Sequence, residues 1–252
     1  MLAFESAMEM GRKTLVIDLD PCGNASRILT RTGNLEEITY TITNAFQEGI
    51  LKPAITNIIG NLDLVAANAS FRNIAKILMT KYPNEYDQIN YLNVLLTPIK
   101  EKYDAIYINV PTTVQDFNDN AMLAADYCIL VLPMHREPLT SIQNYITYMK
   151  YLEDTYNNNM QVLGIIPCIL QSGGKVNGKI LLHANKLYGG KVLDTVVKYQ
   201  ERLKEYDVEG VKSSQNYTDE VNTQNIKEHK IFIDILNELD WQRDILKNNQ
   251  EC

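Results

Sequence analysis

Asp18 and Asp20, two residues apart, are the side chains of this sequence best placed to do chemistry. They close a short, almost fully apolar run, Thr14 to Leu19, which is how a parallel strand buried on both faces reads. Pro21 and Gly23 stop the strand at once, so both carboxylates stand at its carboxyl end and point to the same side. In an open α/β sheet, ligands bind in the crevice beyond the strand ends. Two carboxylates there suit a divalent cation held through water, or a water positioned for attack. The pattern alone also admits a plainer reading, in which one aspartate caps a turn and the other is solvated.

A second anchor is Tyr103 to Thr113, another apolar strand, ended by Pro111, with Asn109 near its end. Strands and helices alternate around these anchors. Residues 2 to 10 read as a helix ending at Gly11, and helices are expected at 24–31, 37–47, 70–80 and 84–101. The last of these is amphipathic through Ile89, Leu92, Leu96 and Ile99. A strand is expected at 61–66, and a helix from Asp119 leads into a strand at 127–132. A long helix at 139–156, a strand at 162–169, a helix at about 179–187 and a last strand at 191–196 follow. In the closing helix, roughly 219–246, Lys227, Lys230, Arg243 and the adjoining Lys247 are offset by Glu228, Asp234, Glu238, Asp240 and Asp244, which fits docking on a core better than lying on anionic lipid.

The 252 residues are 45% hydrophobic and 22% charged, the balance of a soluble globular protein with a real core. No segment approaches about 18 uninterrupted apolar residues, so a membrane span is not expected. The first ten residues do not read as a signal peptide, and Cys22, Cys128, Cys168 and Cys252 are scattered, which fits a reducing cytoplasm. With a net charge of −7, any nucleic-acid contact must come from a local basic patch. Repeats, low-complexity linkers and a clear boundary are lacking, so a single domain over 1–252 is expected.

The wording Leu15-Val-Ile-Asp-Leu-Asp-Pro-x-Gly-Asn-Ala-Ser26 resembles the second signature of the ParA/Soj partition ATPases, deviant-Walker P-loop proteins of the MinD/ParA superfamily. The resemblance covers nearly the whole chain and is strongest at 13–29 and 103–133. It implies a mostly parallel twisted sheet with helices on both faces, the SIMIBI type of P-loop fold. It also implies that Asp20 orients or activates the attacking water, that Asp18 supports a magnesium shell through water, and that Gly23 and Asn24 shape the loop beside them. The stretch at 103–112 is similar to the family's Tyr-Asp-x-Ile-x-Ile-Asp-x-Pro-Pro, its Walker B equivalent, with Asn109 in place of the Asp and Thr112 in place of the second Pro. Asn109 and Pro111 are thus placed at the nucleotide site, although an amide brings no charge to a metal-bound water.

In the family, the first helix follows a central strand and a phosphate-cradling P-loop. Met1 falls inside that helix here, and no G-K-[S/T] sequence is present. The first strand and P-loop are therefore expected to be missing, most simply through a truncated gene, a misplaced start or a partial sequence. Their absence would leave backbone groups of neighbouring strands unpaired. Gly173 to Lys179 matches G-x-x-x-x-G-K, but Ile180 replaces the magnesium-touching Ser or Thr, and by the resemblance this is a variable loop near the base.

By the same likeness the full-length protein would bind Mg-ATP between two subunits, coat DNA non-specifically in the ATP state, and hydrolyse ATP when stimulated by a ParB-like centromere-binding partner. Lys198, Arg202 and Lys204 are the implied DNA-phosphate contacts, although interleaved acids also fit an ordinary solvated helix face. The alternative is a degenerate, non-catalytic relative that keeps DNA or partner binding only.

Overall fold

The computed structural model describes residues 1–111, 116–134, 138–169, 175–198, 202–212 and 219–250. The chain divides into two compact units, residues 1–125 with 202–218, and residues 126–201 with 219–252.

The first unit is built on four strands: β1 (Thr14–Asp18), β2 (Ile55–Ile59), β3 (Leu62–Val65) and β4 (Ala105–Asn109), in the order β2-β3-β1-β4. β1 runs parallel to both β3 and β4, and only β2 is antiparallel. Every β1 side chain is buried, because the strand is central and covered on both faces. Its residues alternate between two apolar layers. Leu15 and Ile17 pack with Ile42, Phe46, Phe71 and Leu92, whereas Val16 packs with Phe4, Leu29, Leu64 and Tyr206. One layer is supplied by α1 (Leu2–Met8), α2 (Asn24–Thr32) and α10 (Arg202–Glu209). The other comes from α3 (Ile42–Glu48), α4 (Ile74–Lys81), α6 (Tyr91–Leu96) and α7 (Asp116–Ala124), with α5 (Glu85–Ile89) packed against α4 and α7.

The α/β class and the mostly parallel sheet flanked by helices follow the expectation; several boundaries do not. The helix expected from residue 37 begins at Ile42, because Thr41 forms a capping box with Asn44 there. The single helix expected at 84–101 is two short helices and a 3-10 turn, broken at Asn90 and after Leu96. β2 was not anticipated; Gly60 (φ +52) and Asn61 turn it back onto β3.

The second unit holds β5 (Tyr127–Pro133), β6 (Gln161–Ile169) and β7 (Val197–Lys198), all parallel, in that order. α8 (Pro138–Tyr156) and α9 (Lys175–Tyr188) cover one face, where Leu130, Leu132, Ile142, Ile165 and Ala184 meet. α11 (Asp219–Gln250) lies on the other: a Cβ on Gly164 would sit 2.9 Å from Leu239 Cδ2. Ile235, Leu236 and Leu239 are buried along α11, as a core-docked helix requires. The last strand comes later than expected: residues 189–191 form a 3-10 turn, Val192 makes an isolated bridge to Ile165, and only Val197–Lys198 is a strand.

Among the described residues, β4 pairs only with β1 and β5 only with β6, so each stands at the edge of its own sheet. β4 is half-buried where β1 is wholly buried, and Val131 on β5 is 57% exposed. Such apolar strands are usually covered on both sides.

Candidate functional site at the carboxyl end of β1

β1 delivers Asp18 to the floor of a loop formed by residues 19–24. Asp18 is fully buried, which is tolerable for a carboxylate only if donors satisfy it. Four do. Oδ2 accepts from the Ser26 backbone N–H (2.9 Å) and from Ser26 Oγ (2.7 Å). Oδ1 accepts from the Asp20 N–H (3.1 Å) and from Asn109 Nδ2 (2.9 Å).

These four donors come from three residues, set in different parts of the fold. Ser26 sits in the first turn of α2 and its Oγ also accepts the N–H of Ala67 (2.8 Å), just past β3. Asn109 is directly opposite Asp18 in the β1–β4 register. The Leu19 N–H donates to the Asn109 carbonyl (2.8 Å), which continues the strand pairing one residue further. The carboxyl ends of three adjacent strands and the start of α2 therefore converge on one carboxylate.

Asp20 is half-exposed, and its Oδ1 accepts from the Cys22 N–H (2.9 Å) in an Asx-type turn. The Gly23 N–H closes the same turn on the Asp20 carbonyl (2.8 Å). Gly23 takes a left-handed conformation (φ +62) at the cap of α2, and a Cβ there would lie 3.4 Å from the Ala67 carbonyl oxygen. Asn24 opens α2 and is exposed; Pro111 is half-exposed just beyond β4.

The structure thus brings Asp18, Asp20, Gly23, Asn24, Asn109 and Pro111 to one end of the first unit. Ser26 was not singled out by the sequence; its signal was a hydroxyl in the first turn of the helix after the motif, where Asp18 could reach it. Thr112 lies outside the described residues. Lys198 is exposed on β7 in the second unit, whereas Lys204 is exposed on α10 in the first. Arg202 opens α10, and its side chain lies outside the described residues. α10 is anchored by Asp207, which accepts from Arg27 Nε (3.2 Å) and Nη2.

The G-x-x-x-x-G-K match does not form a loop of the phosphate-cradling kind at its Gly-Lys end. α9 already begins at Lys175, so Gly178 and Lys179 lie inside a helix, earlier than the start expected near 179. Gly173 and Gly174 lie outside the described residues.

A carboxylate has about four lone-pair positions. Those of Asp18 are all taken by protein donors, and Asn109 carries no charge. The residues gathered here do not complete a magnesium shell: Asp20 is the one carboxylate among them with an unclaimed oxygen in the hydrogen bonds of the site.

Comparison with known proteins agrees with this architecture. A family model described as an AAA domain matches residues 1–162. The chromosome-partitioning ATPase Soj of Treponema pallidum is 24% identical over 201 residues, covering 80% of this chain and 77% of that protein. The sporulation initiation inhibitor protein Soj of Bacillus subtilis is 23% identical over 199 residues, covering 78% and 76%. Among solved structures, apo McdA from Cyanothece superposes with a TM-score of 0.77 at 17% identity, covering 94% of this chain and 92% of that one. A plasmid partition protein from Borrelia burgdorferi bound to AMPPNP gives 0.70 at 19% identity, covering 94% and 90%. The AAA-domain model spans more than half of the sequence and includes the Asp18–Asp20 motif, and the relatives it agrees with are Soj proteins: the chain belongs to this AAA-domain family, of the ParA/Soj partition ATPase type.

Proposed function

We propose that this chain serves DNA partition, with Asp20 as the carboxylate that orients the attacking water on a nucleoside triphosphate. The observation that carries the reading is the position of Asp20: half-exposed, at the carboxyl end of a central parallel strand, in a turn fixed by Asp18 and Gly23. ATP is the proposed substrate, from family membership. The proposed partners are non-specific DNA, met through Lys198, Arg202 and Lys204, a ParB-like centromere-binding protein that stimulates hydrolysis, and a second copy of the chain in the ATP state. The proposed compartment is the cytoplasm; no helix among the described residues is long and apolar enough to cross a membrane.

A second reading, a non-catalytic relative that keeps DNA or partner binding, is favoured by one observation. Asn109 stands where the family has a Walker B Asp, and its amide is spent on Asp18. Binding of a fluorescent ATP analogue to the 252-residue chain, with circular dichroism in the same buffer, separates the two. Saturable binding, with turnover lost in Asp20→Ala, supports the ATPase reading. A folded chain that binds no nucleotide but retards DNA in a salt-dependent way supports the second.

A further inference from the structure

We infer that Asn109 gives Asp18 the donor that a hydrated cation would otherwise give, so that Asp18, Ser26 and Asn109 form a lock on the Asp20 turn that needs no divalent ion. The basis is the complete donor set of one buried carboxylate. Two donors reach Oδ2 from Ser26, and two reach Oδ1 from Asp20 and Asn109, all within 2.7–3.1 Å. A further donor, such as a metal-bound water, could enter only by displacing one of these.

Residue 109 decides the character of the pair. As an amide it donates to Asp18 across the β1–β4 register. As an aspartate it would oppose acceptor to acceptor, and a cation would then be the natural bridge between the two carboxylates. Asn109 is exposed, so an ion would have access to it from solvent. Through Asp18, the amide holds the Asp20 backbone N–H and so the turn that carries the Asp20 side chain. Asp18, Ser26 and Asn109 are positioning residues in this account. The inference rests on the reading of Asp20 as the functional carboxylate for its consequence alone, since its test uses neither nucleotide nor turnover.

The test is thermal unfolding of the 252-residue chain, Asn109→Asp and Asn109→Ala, each in EDTA and in millimolar magnesium chloride. The wild-type midpoint is expected to be the same in both. Asn109→Asp should melt lower in EDTA, by about 5 °C, and recover with magnesium. Asn109→Ala should melt lower in both without recovery. In the wild type, the Asn109 side-chain NH2 and Ser26 N–H resonances should not move when magnesium is added. This spectrum decides the matter even if a variant fails to fold. Magnesium stabilisation of the wild type equal to that of Asn109→Asp, or movement of the Asn109 NH2 resonance, would overturn the inference. An Asn109→Asp variant as stable as wild type in EDTA would do the same.

Discussion

Ser26 meets Asp18 twice, through its backbone N–H and through its hydroxyl, and the same hydroxyl accepts the Ala67 N–H. Removing the hydroxyl strips a charge-assisted bond from a buried carboxylate and leaves a buried backbone donor unpaired. Ser26→Ala should therefore cost about 3 kcal/mol, or a midpoint drop of about 8 °C. Ser26→Thr, which keeps the hydroxyl, should retain most of the stability in the same melt. Equal losses in both would show that packing, not the hydrogen bonds, sets the cost.

Gly210 lies against Thr32, where α10 returns to α2. A Cβ at Gly210 would come 2.4 Å from the Thr32 backbone nitrogen, and its φ is +78. The neighbouring Val211 N–H donates to Thr32 Oγ1 (2.9 Å), which fixes the approach. Gly210→Ala should cost about 3 kcal/mol through left-handed strain and overlap together. Gly189 (φ +54) has nothing within 4 Å of its would-be Cβ, so Gly189→Ala should cost only about 1 kcal/mol. Denaturant midpoints of the two variants measure the difference directly.

Asp63 is a buried carboxylate at the opposite end of the sheet from the site. It accepts from Asn57 Nδ2 (2.8 Å) and Tyr103 OH (2.9 Å), and it pairs with Lys13 Nζ (2.7 Å). Asp63→Ala should cost about 3 kcal/mol in urea unfolding, because Tyr103 and Lys13 lose the Asp63 acceptor and Asn57 keeps only backbone carbonyls such as Gly60. Lys13→Met should cost about 1 kcal/mol, since the lysine side chain is 40% exposed and its charge is screened. A larger loss in Lys13→Met than in Asp63→Ala would reverse this ranking.

Burial pushes the thiols of Cys128 and Cys168 up to about 11, and burial with the Asp63 hydrogen bond pushes the Tyr103 hydroxyl up as well. In the unfolded chain, thiols ionise near pH 8.5 and tyrosine near pH 10. Above those values the unfolded chain holds fewer protons than the native one, so stability falls as pH rises. The contribution is complete below about pH 8.5 and is lost progressively toward pH 11 and beyond. Midpoints measured from pH 7 to 11 should decline, and Tyr103→Phe should flatten the upper part of that decline. Cys22 is exposed, so at pH 8 a thiol reagent should label it well before Cys128 or Cys168.

The sequence by itself determined the motif-bearing strand and its surroundings. An apolar run cut off at once by Pro21 and Gly23 reads as a buried parallel strand ending in Asp18 and Asp20, and the structure places β1 there. Asn109 was visible as a departure from an acidic position. β2 escaped notice because a short apolar stretch before Gly60 fits strand or helix alike until its partner is known. The break at Asn90 was equally silent, since the Asn120 side chain takes the Leu92 N–H from a different helix.

Only the tertiary structure decided how each aspartate is surrounded. Sequence spacing made Asp18 and Asp20 equivalent candidates. The register of β1 with β4 sets Asn109 beside Asp18, and the first turn of α2 adds Ser26, so one carboxylate is buried and saturated while the other stays half-exposed. The physical reason is that a lone pair's occupant is fixed by residues far apart in the chain. Ser26, Ala67 and Asn109 meet at Asp18 only once three strands have paired.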